Sequence, residues 1–142
     1  MPVYVRFDVA SEVYAIAIAN AFEVAALGQV VAVPRAPAPV LGIQVLHGEI
    51  LPVVDTAAVL RLERDTPPSR LLVAQVGDQR VGLAVDDVTG VTELAGPAEE
   101  AESPVLLGSV LADGALIGII DVARAIGSVT AEEAGSMRVV PP

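Results

Sequence analysis

Apolar residues in this chain come in short runs of strand length, separated by small, polar or glycine-bearing breaks. Residues 3–9 and 13–19 alternate or run apolar, with Ala10-Ser11-Glu12 between them, which predicts a β-hairpin. Residues 71–76 and 81–88 repeat the design around Gly77-Asp78-Gln79, a favourable turn because Gly accepts positive φ and Asp bonds to nearby backbone. Two more hairpins are predicted, Ile43–His47 with Ile50–Val54 around Gly48-Glu49, and Ser109–Leu111 with Ala115–Ile120 around Ala112-Asp113-Gly114. Each of these ends in an Asp that heads a short helical pattern, Asp55 before Thr56–Leu62 and Asp121 before Val122–Ile126. Asp suits a helix N-cap because its carboxylate accepts from the orphan amides of the first turn.

The parallels amount to an internal repeat. Gly42, Gly48, Asp55 and Ala57 recur 66 residues later as Gly108, Gly114, Asp121 and Ala123, in the same order of elements. The chain therefore reads as two related β units, about 1–66 and 67–127, followed by a tail, 128–142. Many short strands with Gly- and Pro-rich turns favour small barrels over a parallel α/β sheet. Pro34, Pro37 and Pro39 predict an extended connection inside the first unit, Arg64–Ser69 the junction between units, and Gly96–Pro104 an acidic loop.

Composition narrows the function. More than half of the residues are hydrophobic but only 3% aromatic, so an aliphatic core dominated by Val and Ala is expected. A net charge of −10 leaves no basic face for nucleic acid and would be repelled by an anionic membrane surface. With no cysteine, disulfides, zinc–thiolate sites and thiol catalysis are excluded, and a reducing cytoplasm fits. No basic region precedes an apolar segment at the N-terminus, so no signal peptide is expected. The apolar stretch Val13–Val33 is broken by Asn20, Glu23, Gly28 and Gln29, which argues against a membrane helix.

The segment from Gly42 to Asp55, with its Gly, short apolar strand, Gly48 turn and second apolar strand bearing Pro52, resembles the hallmark of CheW-type coupling proteins. Val33-Pro34 and Ala36-Pro37 match the family's proline-bearing approach to it. Leu71–Val76 and Gly82–Val88 resemble the family's second hairpin, with its Val-Asp-x-Val pattern. The likeness covers about residues 3–126. It implies an all-β fold of two small SH3-like five-stranded β-barrels sharing a hydrophobic core, with short helices. It also implies a non-enzymatic adaptor without cofactor or metal, cytoplasmic and recruited to membrane-associated receptor arrays. Its partners would be a chemoreceptor helical hairpin in a groove between the barrels, the regulatory domain of a CheA-type histidine kinase, and other CheW-like copies. The family's usual Asn and Arg before the turn glycine are replaced here by Val45 and His47. Arg carries a permanent charge and five donors, whereas His has at most two. The family Arg commonly faces a Glu, and Glu23 stands at the matching place. The replacement raises a second reading, a divergent member that binds receptors but not kinase, as a spacer or competitor in a gliding or pilus-motility pathway.

His47 is the one histidine, with no Ser or Cys nucleophile motif and no ligand companions, so a polar contact at the rim of a binding groove is favoured over catalysis or metal. The receptor-binding set read from the sequence is Ala21, Glu23, Val45, His47 and Asp87. Ala21, Phe22, Val24 and Leu27 suit either the core or an apolar strip that buries a helix face. Asp55 and Asp121 are read as caps rather than paired acids. Gly42, Gly48, Gly108 and Gly114 are read as backbone devices at strand ends, since they form neither a dinucleotide fingerprint nor a phosphate loop. Asp86 and Asp87 end a strand without a calcium-loop pattern, and Glu99, Glu100 and Glu102 read as a solvated loop.

Overall fold

The computed structural model describes residues 1–97 and 103–127; the tail from residue 128 and Glu99, Glu100 and Glu102 lie outside them. Ten strands form, in order β1 (Val3–Val9), β2 (Glu12–Ala17), β3 (Ala21–Ala26), β4 (Val40–Leu46), β5 (Glu49–Asp55), β6 (Arg70–Val76), β7 (Gln79–Val85), β8 (Asp87–Glu93), β9 (Leu106–Ala112) and β10 (Ala115–Ile120). A 3-10 turn, Ile18–Asn20, joins β2 to β3, and helix α1 (Thr56–Val59) follows β5. Residues 122–127 are helical after β10. The fold is all-β, two small SH3-like five-stranded barrels with short helices. One sheet has the order β8-β1-β2-β10-β9 and the other β3-β6-β7-β5-β4.

Each sheet is assembled from both sequence repeats. Strands β1 and β2 leave the first repeat to pair with β8, β9 and β10, while β6 and β7 join β3, β4 and β5. The two sheets are the same arrangement with the repeats exchanged. The register shows it: β10 runs parallel to β2 with Ile119 opposite Ala15, and β5 runs parallel to β7 with Val53 opposite Gly82, the related positions of the other repeat.

The exchange gives the core its layout. In β6, Leu72 and Ala74 pack into a core shared by both sheets, whereas Leu71 and Val73 point the other way, into one barrel's own interior with Leu51, Val53 and Ala84. In β2, Tyr14 and Ile16 enter the shared core and Ala15 the other barrel's interior, beside Tyr4, Val110, Ile117 and Ile119. Strands buried on both faces must be apolar at every position, which is why these segments read as continuous runs rather than alternations. Phe7, Val9, Leu83 and Val85 also belong to the shared core, as do Val40, Val54 and Ile120.

Several boundaries differ from those the sequence predicts. The segment 81–88 divides at Asp86, where β7 leaves one sheet and β8 enters the other. The strand expected over 13–19 ends at Ala17, because the chain must turn at Ile18–Asn20 to change sheets. Glu49 and Ala112 are strand residues, so the first turn shifts to His47-Gly48, taking His47 out of the expected strand, and the second shrinks to Asp113-Gly114, with φ of 51° and 79° and of 50° and 76°. Positive φ at both central residues matches the right-handed twist of the flanking strands. Ala10-Ser11 makes the same turn without glycine, at φ of 50° and 68°. The connection through Pro34, Pro37 and Pro39 is not extended: it folds into two tight turns, closed by Ala36 N–H to the Val33 carbonyl and Val40 N–H to the Pro37 carbonyl. The first helix stops at Val59 rather than Leu62, with Arg61 at φ 59°. The stretch Val13–Val33 is built into β2, β3 and the turn between them, and among the described residues no helix is long and apolar enough to cross a membrane.

Gly42 sits at a register shift between β4 and β5 with φ 146°, and a Cβ there would lie 2.0 Å from the Val31 carbonyl oxygen. That neighbour is backbone and cannot swing away. Gly42→Ala is expected to lower stability by roughly 3 kcal/mol, read from the urea midpoint at unchanged slope.

Candidate functional site

The β4–β5 hairpin carries His47 at its tip, and β3 runs past it. His47 Nε2 lies 2.9 Å from Glu23 Oε2. The imidazole is largely exposed and the carboxylate mostly covered. A cavity of about 280 Å³ opens beside them, walled by Phe22, Leu46, Leu51 and Val73, with Glu49 and Arg80 also lining it. Arg80 is held from three sides. Its Cζ sits 3.7 Å from the centre of the Phe22 ring, its Nη1 is 3.2 Å from Glu49 Oε2, and its Nε donates to Gln75 Oε1 at 2.8 Å. A guanidinium over an aromatic face is attracted by the ring's quadrupole, so Phe22 stays at the surface without being bare. This is a polar-rimmed, apolar-floored recess, and among the described residues no group of three or more His, Asp or Glu side chains converges to hold a metal.

Apolar side chains are also displayed on the outer faces, and the repeat duplicates them. Val45 and Ile50 face each other across β4–β5 at 66% and 69% exposure, and Leu111 and Leu116 across β9–β10 at 73% and 59%. Leu41 on β4 and its related position Leu107 on β9 are exposed as well, as are Val24 and its related position Val91. Both hairpins thus leave an apolar cross-strand pair open to water.

A third cluster lies where the chain crosses between sheets. Arg64 reaches from the connection after α1 to Asp55, and its Nη1 is 3.4 Å from Asp86 Oδ1. Asp55 Oδ1 also accepts from Ala57 N–H at 3.1 Å and so caps α1. Asp86 Oδ2 accepts from Ala10 N–H at 2.8 Å, in the β1–β2 turn of the opposite sheet. The guanidinium thus ties both sheets together while largely covered, with its Nε buried and unpartnered. Next to it Asp8 faces Asp87 across β1–β8. Burial, then the Asp87 charge, raise the Asp8 carboxyl above its ordinary range, with Arg6 pulling the other way and Asp86 adding to the rise. Burial, reinforced by the bond to Glu12, likewise holds the Tyr14 phenol above its usual value.

Comparison with known proteins now bears on these surfaces. The CheW-like domain model matches residues 3–130. The chain belongs to the CheW-like family. It is 33% identical over 89 residues to a probable chemotaxis protein CheW of Rhizobium etli, covering 61% of this chain and 57% of that protein. It is 31% identical over 103 residues to protein FrzA of Myxococcus xanthus, covering 71% of this chain and 62% of that one. The matched regions thus span about three fifths of the length of these relatives. The crystal structure of the scaffolding protein TtCheW from Thermoanaerobacter tengcongensis superposes with a TM-score of 0.74 at 27% identity, over 84% of this chain and 89% of that one. CheW-family proteins are scaffolding adaptors, not enzymes.

Of the receptor-binding set expected from the sequence, the structure brings Glu23 and His47 together. Val45 lies on the outer face of the same hairpin, beside Ile50 rather than in the recess. Ala21 packs against the shared core, and Asp87 stands on the other sheet, bonding to its own Val88 N–H. Leu27 packs into a barrel interior, while Phe22 and Val24 are half exposed. Asp121 Oδ1 accepts from Arg124 N–H at 3.1 Å. Gly108, like Gly42, lies in the positive-φ region beside a register shift, and Gly48 and Gly114 occupy equivalent hairpin turns. Sequence reasoning missed Arg64 and Arg80, whose partners Asp86, Glu49 and Phe22 lie far away along the chain.

Two outcomes follow. Arg64→Met leaves two carboxylates facing each other and is expected to cost about 2–3 kcal/mol, with strong non-additivity against Asp86→Asn in a double-mutant cycle. Asp8→Asn is expected to stabilise by a few tenths of a kcal/mol at pH 7. The folded carboxyl is raised, so the stability Asp8 contributes is full below its ordinary value of 3.8 and is lost as pH rises through the folded value. The gain from Asp8→Asn should therefore disappear in acid, as followed by melting from pH 3 to 8.

Proposed function

We propose that the protein is a non-enzymatic adaptor that links the helical tips of chemoreceptors to a CheA-type histidine kinase in a chemosensory array, working in the cytoplasm and held at the membrane through the receptors. The observation that carries this reading is the pair of matching apolar faces on a CheW-like body. An adaptor needs at least two surfaces, and the repeat supplies two of the same chemistry, Val45/Ile50 and Leu111/Leu116. One face would meet the kinase regulatory domain or another copy of the same fold. The recess at Glu23 and His47 would contribute to the receptor contact, along with the inter-barrel groove. Weak contacts of modest area become collectively strong when many copies share one array.

A second reading rests on Val45 and His47 standing where the resemblance leads one to expect Asn and Arg. The chain then binds receptors but not kinase, as a spacer or competitor, and the likeness to protein FrzA is consistent with a divergent pathway.

Co-sedimentation with receptor-bearing membranes and kinase decides between them. The adaptor pellets with the membranes and raises the kinase in the pellet several-fold; the spacer pellets and leaves the kinase in solution; recruitment of neither at any ratio refutes both. Val45→Asp/Ile50→Asp and Leu111→Asp/Leu116→Asp should each lose one partner and keep the other at unchanged melting temperature. Loss of neither partner would remove the two-face assignment.

A further inference from the structure

The repeat relates two joints between the barrels, and the joints are filled differently. At the first, Arg64 bridges Asp55 and Asp86. The related positions at the second are Asp121 for Asp55, Ala19-Asn20 for Asp86-Asp87, Val76 for Val9 and Leu107 for Leu41. There the described residues enclose a cavity of about 190 Å³ instead, lined by Tyr4, Ala17, Asn20, Val76, Leu107 and Asp121. We infer that the cavity beside Asp121 is a socket for a guanidinium group carried by a helical partner.

The chain supplies the template for its own ligand. In the related joint, a carboxylate that caps a short helix accepts a guanidinium as well as a backbone amide. Asp121 stands at the same strand-to-helix corner, and its Oδ1 likewise accepts from a backbone amide of the following turn. Its present ionic partner is Arg124, whose Nε lies 3.3 Å from Oδ2 and whose side chain is 65% exposed, a solvated pair that a better-placed cation displaces readily. The Tyr4, Val76 and Leu107 side chains would pack against the stem of an incoming arginine. Asn20 already donates its Nδ2 to the Gln75 carbonyl, which leaves its amide oxygen available to accept. A planar guanidinium with several donors fits an acceptor pair of this kind better than an ammonium does. The net charge of −10 favours a cationic visitor over an anionic one. The inference deepens the adaptor reading, on which only the identity of the partner as a receptor hairpin rests.

The test uses the full chain and N-acetyl-arginine amide, with N-acetyl-citrulline amide as its uncharged counterpart, observed by NMR. Arginine amide should shift the Asn20 side-chain amide, the Tyr4 ring and the Leu107 methyls in a saturable way, and citrulline amide should bind at least ten-fold more weakly. Asp121→Asn retains a good cap and should reduce arginine binding to the citrulline level, whereas Arg124→Gln should strengthen it several-fold. Equal binding of the two compounds, absence of shifts at the socket, or indifference to Asp121→Asn would overturn the inference. Binding that appears only in Arg138→Gln would assign the socket to the chain's own tail and overturn the partner. Receptor co-sedimentation that survives while the arginine experiment fails removes the socket and leaves the adaptor intact.

Discussion

Burial of β2, β6 and β7 on both faces is the constraint from which the rest follows. A strand with one face in a barrel interior and the other in the shared core has no polar side to present, so alternate residues serve different cores: Leu71 and Val73 one, Leu72 and Ala74 the other. The two barrels then cannot come apart without exposing Phe7, Ile16, Leu72, Leu83 and Val85 to water together. Each fully buried side chain of this size contributes about 1.5–3 kcal/mol, so separation is far costlier than any single ion pair at the surface could offset. The molecule is thus two related parts joined through one core.

A joint core of that kind leaves the outer faces of both sheets to carry the exposed apolar residues. The hairpins β4–β5 and β9–β10 close one end of each sheet, with β4 and β9 as edge strands, and display apolar residues on their outward faces while Val40, Val54 and Ile120 reach the shared core. Because the same hairpin design is used twice, the apolar pairs are presented from two fixed positions on one frame. The polar recess around His47 differs from its related position, where Asp113 occupies the turn and forms a long contact with Arg6.

The ionic cluster around Arg64 shows how a buried charge is tolerated. Its carboxylate partners bond in turn to backbone amides, Asp55 to Ala57 and Asp86 to Ala10, so each charge has fixed dipoles around it. The cluster sets the geometry of one joint between barrels, while the other joint retains a cavity. This asymmetry is invisible in the strand pattern, since both joints follow the same order of elements.

Much of the fold was legible in one dimension. The four hairpins, the caps at Asp55 and Asp121 and the repeat all depend on local chemistry: strand-length apolar runs, turn residues that accept positive φ, and a carboxylate ahead of a short helix. The resemblance around Gly42–Asp55 pointed to the family, and the pairing of Glu23 with His47 came with it. What the tertiary structure alone decided was the exchange of hairpins between repeats, the split at Asp86, the outward turn of Val45 away from the recess, and the meeting of Arg64 with Asp86 and Arg80 with Phe22. A continuous apolar run states that both faces of a strand are buried but not against what. Partners many residues apart are chosen by which strand lies next to which, and that choice is made only when the whole core closes.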